Sequence, residues 1–163
     1  EFDGWRIFRY KQVLPRTFVA NRYEVYASND EFQQKFYNPT FDPKTTILLE
    51  EKPDISASNI PLISTATIEN EDTNSILITA VSNQPSLLFL SDTYYPGWNA
   101  FVDGVKTPIY RAHYAFRAVV IPKGQHQVEF RYEPASFLLG LKISTTCTML
   151  VLVYLLLKKT HEK

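Results

Sequence analysis

Between Thr17 and Tyr132 the chain alternates short runs rich in Val, Ile, Thr, Phe and Tyr with turn residues, the pattern of an antiparallel all-β domain. The runs place strands at Thr17 to Tyr26, Thr46 to Leu49, Leu62 to Glu69, Ser75 to Val81, Leu87 to Thr93, Asn99 to Val102, Thr107 to Ile109, Phe116 to Ile121 and Gln127 to Tyr132. About nine short strands suffice for two packed sheets, so the expected fold is mainly β, an antiparallel β-sandwich of jelly-roll or Ig-like kind. In "SILITAV", Ile76, Ile78 and Ala80 alternate with Leu77, Thr79 and Val81. "LLFL", Leu87 to Leu90, is apolar throughout, which suits a central strand covered on both faces. The last run sets Val128, Phe130 and Tyr132 against Glu129 and Arg131, one dry face and one wet.

The β pattern is interrupted twice by helical signals. Near the N-terminus, "SNDEFQQKF" offers Ser28 as N-cap with Glu31 three residues on, a capping box; the short helix must end before Asn38-Pro39. At the other end, Phe137 to Leu157 is apolar with one charge, Lys142, and a helix of that length spans roughly 30 Å, the thickness of a bilayer core. Lys142 sits near enough to the start of the helix for its stem to snorkel to the headgroups. A buried core helix is the other reading, but Ile143 to Leu157 lacks the polar face of a surface helix. Lys158 and Lys159 follow and place the C-terminus in the cytoplasm by the positive-inside rule, which leaves residues 1–136 extracytoplasmic.

Turn chemistry divides the rest. Residues 52–61, "KPDISASNIP", read as a linker. The expected organisation is thus an αβ segment at 1–52 packed on a β-sandwich at 62–134, a transmembrane helix at 137–157 and a tail at 158–163. Asp103-Gly104 between Val102 and Val105 is a hairpin signal, because both central residues of a type I′ turn need positive φ. Lys123-Gly124 offers a further turn. In "SDTYYPGW", Pro96-Gly97 fits the centre of a type II turn, which matches strand twist poorly in a tight hairpin. A corner crossing between sheets is expected there, with Trp98 and one of Tyr94 and Tyr95 closing the end of the core.

Composition removes several function classes. Seventeen Lys and Arg balance seventeen Asp and Glu, so no basic field exists to hold a nucleic acid. Cys147 is the only cysteine, and it has no partner in the sequence for an internal disulfide. There is no zinc spacing, phosphate loop or nucleophile elbow, so no catalytic residue, metal or cofactor is assigned. What remains is a set of aromatic and charged residues: Asp92, Tyr94, Tyr95 and Trp98 at the corner, and Arg111, Tyr114 and Arg117 in "YRAHYAFR". Aromatic faces beside Arg donors suit a carbohydrate or a phosphate. The competing reading has the arginines paired with Asp92, Asp103 or Glu129 and the rings in the core. His113, in the same run, has no second His or Cys at ligand spacing.

Leu90 to Ser144, "LSDTYYPGWNAFVDGVKTPIYRAHYAFRAVVIPKGQHQVEFRYEPASFLLGLKIS", closely resembles the C-terminal region of YfhO-type bacterial membrane proteins, and "VLPRTFV" (Val13 to Val19) and "FDPKTTILLEE" (Phe41 to Glu51) resemble the extracytoplasmic segment before it. The resemblance implies a large polytopic parent protein in the bacterial cell membrane. That parent looks like a GT-C glycosyltransferase, which moves a sugar from a polyprenyl-phosphate donor to an envelope polymer such as lipoteichoic acid. It implies that catalysis belongs to an early outer loop between upstream membrane helices, and that this chain is a non-catalytic outer domain with one late helix. Its partners would then be the membrane, those upstream helices, and a glycan or polyprenyl-linked sugar. With Glu1 where a reading frame would have Met, and no signal segment after it, the chain reads as the tail of a longer protein. Two functions follow from the whole: an accessory domain that positions a glycan or lipid-linked sugar, or a structural or protein-interaction domain anchored by one helix. A free-standing single-pass adhesion module is a third.

Overall fold

The computed structural model describes residues 13–161. Residues 1–12, the start of the expected 1–52 segment, and residues 162–163 of the tail lie outside the described residues.

Among the described residues, eleven strands and two helices follow one another. β1 (Thr17–Ala20) and β2 (Arg22–Val25) precede α1 (Asn29–Phe36) and β3 (Thr46–Leu49). β4 (Ser64–Asp72), β5 (Ser75–Ser82) and β6 (Ser86–Leu90) come next. Then come β7 (Trp98–Val102), β8 (Val105–Thr107), β9 (Tyr110–Ala112), β10 (Phe116–Ile121) and β11 (Gly124–Tyr132). α2 (Ala135–His161) is the last element of the described residues. The strands form a six-stranded sheet, β1-β6-β10-β9-β3-β2, and a five-stranded sheet, β4-β5-β11-β7-β8.

Alternation places the core. Ile76, Ile78 and Ala80 of β5 and Val128 and Phe130 of β11 point inward from the five-stranded sheet and meet Leu88, Leu90, Val119 and Ile121 of the six-stranded one. On the far face of the six-stranded sheet, Leu87, Phe89 and Ala118 pack with Ile47 and Leu49 in a second cluster. β6 is therefore buried on both faces, as its unbroken apolar run requires.

The expected single strand from Thr17 to Tyr26 is two strands. Asn21 turns its amide to the carbonyls of Ser58 (3.1 Å) and Ile60 (2.9 Å), and the ladder breaks there. β1 pairs with β6 whereas β2 runs parallel to β3, so one residue joins opposite edges of the sheet, which curls until those edges meet. The same bonds, with Tyr23 Oη donating to Ile55 O at 2.9 Å, tie residues 52–61 to the sheet. That stretch is irregular but held, not a free linker. The expected strand at Thr107 to Ile109 is displaced to β8, which ends at Thr107 because Pro108 has no N–H to continue a ladder; β9, a further short strand, follows it.

Asp103 (φ 51°) and Gly104 (φ 80°) form the β7-β8 hairpin with Val102 opposite Val105, the type I′ geometry that Asp-Gly favours. Gly124 also has positive φ, but β10 and β11 belong to different sheets, so that turn is a crossover. Ser28 caps α1 by accepting from Glu31 N at 3.2 Å, and Glu31 reaches back to Ala27 N at 2.8 Å. α2 begins at Ala135, with Glu133 and Pro134 between it and β11. Its Ala135–Tyr154 part has mean hydropathy 1.7 and none of it is buried against the domain, so it is long and apolar enough to cross a membrane.

Candidate functional site

Pro96 and Gly97 turn the chain from β6 in one sheet to β7 in the other. Gly97 has φ 102°, the positive value a type II turn demands at its third residue. The corner is pinned from behind: Glu133 N donates to Gly97 O at 2.7 Å, and a Cβ on Gly97 would stand 2.9 Å from Tyr132 Cε2 and 3.3 Å from Pro134 Cα. Gly97→Ala should therefore lower stability by about 1–3 kcal/mol, read as a lower thermal midpoint by circular dichroism; an unchanged midpoint would mean the corner relaxes freely.

Trp98 packs against the inter-sheet core and lies 5.4 Å from the Tyr132 ring. Neither neighbouring tyrosine joins it. Tyr94 is 40% and Tyr95 60% exposed, so the expectation that one of them closes the core is corrected: Tyr132, from β11, takes that place. Its position in an alternating strand marked it as inward, but nothing local linked it to the corner.

Arg117 is only 2% exposed, and its guanidinium lies 4.1 Å above the Trp98 ring and 5.3 Å from that of Phe130. Nη2 donates to Asp92 Oδ2 at 3.2 Å, while Nε and Nη1 meet no hydrogen-bond partner among the described residues. Burial holds the guanidinium below its ordinary pKa, against the attraction of Asp92. Asp92 also accepts from Arg16 Nε at 2.9 Å and Nη2 at 3.1 Å, and Arg16 reaches Glu71 at 2.7 and 2.8 Å. Hydrogen bonding to Arg16 lowers the Glu71 pKa. Sequence alone does not single out Arg16 or Glu71: Arg16 stands just before an ordinary strand, and Glu71 reads as a solvated charge in a loop.

Arg111 and Tyr114 belong to a different group. Arg111 stands opposite Arg117 in the β9-β10 ladder, yet it pairs with Glu50 at 3.1 Å, donates to Tyr114 O and lies 4.7 Å over the Tyr114 ring. Tyr114 in turn lies 5.6 Å from Phe32 of α1. Of the seven candidates, the structure gathers Asp92, Tyr94, Tyr95, Trp98 and Arg117 at the corner and leaves Arg111 and Tyr114 beside α1.

His113 is enclosed by Phe36, Phe41 and Phe89 at ring distances of 5.8, 6.0 and 5.2 Å. Desolvation pushes its imidazole down to about 4. A depressed histidine makes the folded state bind fewer protons than the unfolded one, so stability should be full above about pH 6.5, fall as pH drops towards 4 and level off below that. The loss is on the order of 3 kcal/mol. His113→Asn, which tolerates the φ of 45°, should flatten the fall between pH 6.5 and 5 in thermal melts; an unchanged slope would refute the assignment.

Among the described residues, cavities lie at the corner and beside it. One of about 330 Å³ is lined by Tyr94, Tyr95, Trp98, Lys106 and Arg117 among others. A second, about 660 Å³, shares Tyr95, Trp98 and Arg117 and adds Asp92. The largest, about 1050 Å³, runs from Asn99 and Tyr132 to Ala135 and Phe137 at the start of α2. Its walls join the corner to the root of the apolar helix.

A family model described as bacterial membrane protein YfhO matches residues 56–144, more than half of the chain. The match contains β4 to β11, the corner and the first turns of α2. No curated protein and no solved structure matches the chain.

Proposed function

This chain belongs to the YfhO family of bacterial membrane proteins, and from that premise we propose that its β domain is a sandwich on the extracytoplasmic side, accessory to a polytopic, glycosyltransferase-like parent. In this reading the domain holds a glycan or polyprenyl-linked sugar at the Pro96-Gly97 corner, close to an active site formed by upstream membrane helices. The described part of 1–52 completes the six-stranded sheet through β1, β2 and β3 and so is not a segment packed on a separate sandwich of 62–134; in this reading 137–157 cross the membrane and the tail at 158–163 is cytoplasmic. The observation that carries it is the adjacency of the corner cavities to the one at the root of α2, with which they share Asn74, Asn99 and Tyr132 as wall residues; it brings exposed Tyr95, half-buried Trp98 and an Arg donor to the place where a lipid-linked sugar would stand. Tyrosine and tryptophan faces stack on sugar rings through their apolar surface.

Titrating a polyprenyl-phosphate-linked sugar into nanodiscs that carry the chain tests this. Tyr95→Ala should weaken binding roughly three- to tenfold, with no change in thermal midpoint, and should slow transfer by the parent protein. If both binding and transfer stay unchanged, the corner is not a sugar site. Orientation has its own test: Val105→Cys in a Cys147→Ser background should react with a membrane-impermeant maleimide on intact cells, since Val105 is exposed at the β7-β8 hairpin.

The second reading is a non-catalytic structural or protein-interaction domain anchored by one helix. The commitment of Arg117 to Asp92, within a network that also engages Arg16 and Glu71, favours it. Under that reading the variants change stability or assembly with the parent and leave sugar binding at background.

A further inference from the structure

The corner is close to the bilayer by covalent geometry. Gly97 O is hydrogen-bonded to Glu133 N, and α2 starts at Ala135, so only about 7 Å of chain separates that bond from the helix. With the apolar helix entering the hydrocarbon core between Ala135 and Phe137, the headgroup layer on that side, roughly 5–8 Å deep, reaches the corner. Exposed Tyr94 and Tyr95 then stand where tyrosines anchor proteins at membrane surfaces.

The cavity of about 330 Å³ beside them has two cationic residues in its wall, Lys106 and Arg117, and no carboxylate. Arg117 is almost fully buried and two of its three nitrogens find no acceptor among the described residues. A desolvated donor without an acceptor is unfavourable, and natural structures rarely leave one. Arg16, Asp92, Glu71 and Arg117 balance in formal charge, and Lys106 adds one positive charge that nothing in the cavity wall offsets. An anion with several oxygens seated against Lys106 offsets that charge beside the wall that Arg117 completes, and a headgroup phosphodiester is the anion that the surrounding layer supplies.

We propose that this cavity binds the phosphate of a lipid headgroup, with Arg117 and Lys106 as its cationic contacts and Tyr94 and Tyr95 seated in the interfacial layer. The site rests on the reading of the corner as a ligand surface at the membrane, but it requires no sugar.

Trp98 lies under the Arg117 guanidinium and can report on it. With Trp5→Phe, Trp98 is the single tryptophan of the chain. In phosphatidylcholine nanodiscs, a phospholipid with a nitroxide on its headgroup should quench Trp98. Raising the fraction of phosphatidylglycerol should shift Trp98 emission to a plateau, and Lys106→Gln, at an exposed position, should move the midpoint roughly fivefold higher. An absence of quenching overturns the proposal. So does an emission shift produced by inorganic phosphate in detergent but not by phosphatidylglycerol, which would assign the cavity to a soluble anion. Binding of a neutral glycan with no response to phosphatidylglycerol would sink the lipid site and leave the sugar reading standing.

Discussion

Replacing Phe130 with Ala should destabilise the folded chain by about 3–5 kcal/mol and lower its thermal midpoint by on the order of 10 °C. Phe130 is fully buried, and it lies on β11, which is hydrogen-bonded to β5 on one side and β7 on the other. It is among the largest fully buried side chains and sits in the cluster shared by both sheets. The curled six-stranded sheet cannot collapse onto the void, because its opposite face is held by the second cluster around Phe89 and Leu49. A cavity that its surroundings cannot fill is the costlier kind. The same truncation at exposed Val105 on the β7-β8 hairpin should stay within about 0.5 kcal/mol. Thermal melts of the chain in detergent compare the two; equal effects would mean that Phe130 does not join the sheets.

Local chemistry accounts for what could be read in advance. The alternation in "SILITAV", the unbroken "LLFL", the Asp103-Gly104 hairpin and the Pro96-Gly97 corner each depend on a few neighbouring residues, and each has the expected form. The split at Asn21 was not legible, because its cause is a pair of carbonyls far along the chain, Ser58 and Ile60. The parallel β2-β3 pairing and the meeting of the sheet edges have the same non-local origin.

The corner group was legible as residue types and not as an arrangement. In "FRAVVI" the period of two puts Arg117 on the side of Val119 and Ile121, the inward side, so a buried arginine could have been inferred. That Arg111, its ladder partner, would instead face Glu50 could not, since β9 is short and the chain turns at His113 and Tyr114 with positive φ.

Removing Asp92 should harm the protein more than removing Arg117, although the two form one ion pair. Asp92→Ala takes the single acceptor found among the described residues from a guanidinium that is 2% exposed, leaving a buried, unpaired charge, and should cost about 3–5 kcal/mol. Arg16 offers no relief, for it keeps its bidentate pair with Glu71 and adds a like charge nearby. Arg117→Met keeps an apolar stem over the Trp98 ring and leaves Asp92 bonded to Arg16 through two nitrogens, so its loss should stay within about 2 kcal/mol, largely the cation–π contact. The asymmetry predicts a reversal of sign in the double variant: adding Arg117→Met to Asp92→Ala should raise stability, because it deletes the orphaned charge. Chemical denaturation of the four proteins in one detergent measures the cycle. If the two losses are equal and additive, the guanidinium is reaching water or another anion, and the pair does not hold the corner closed.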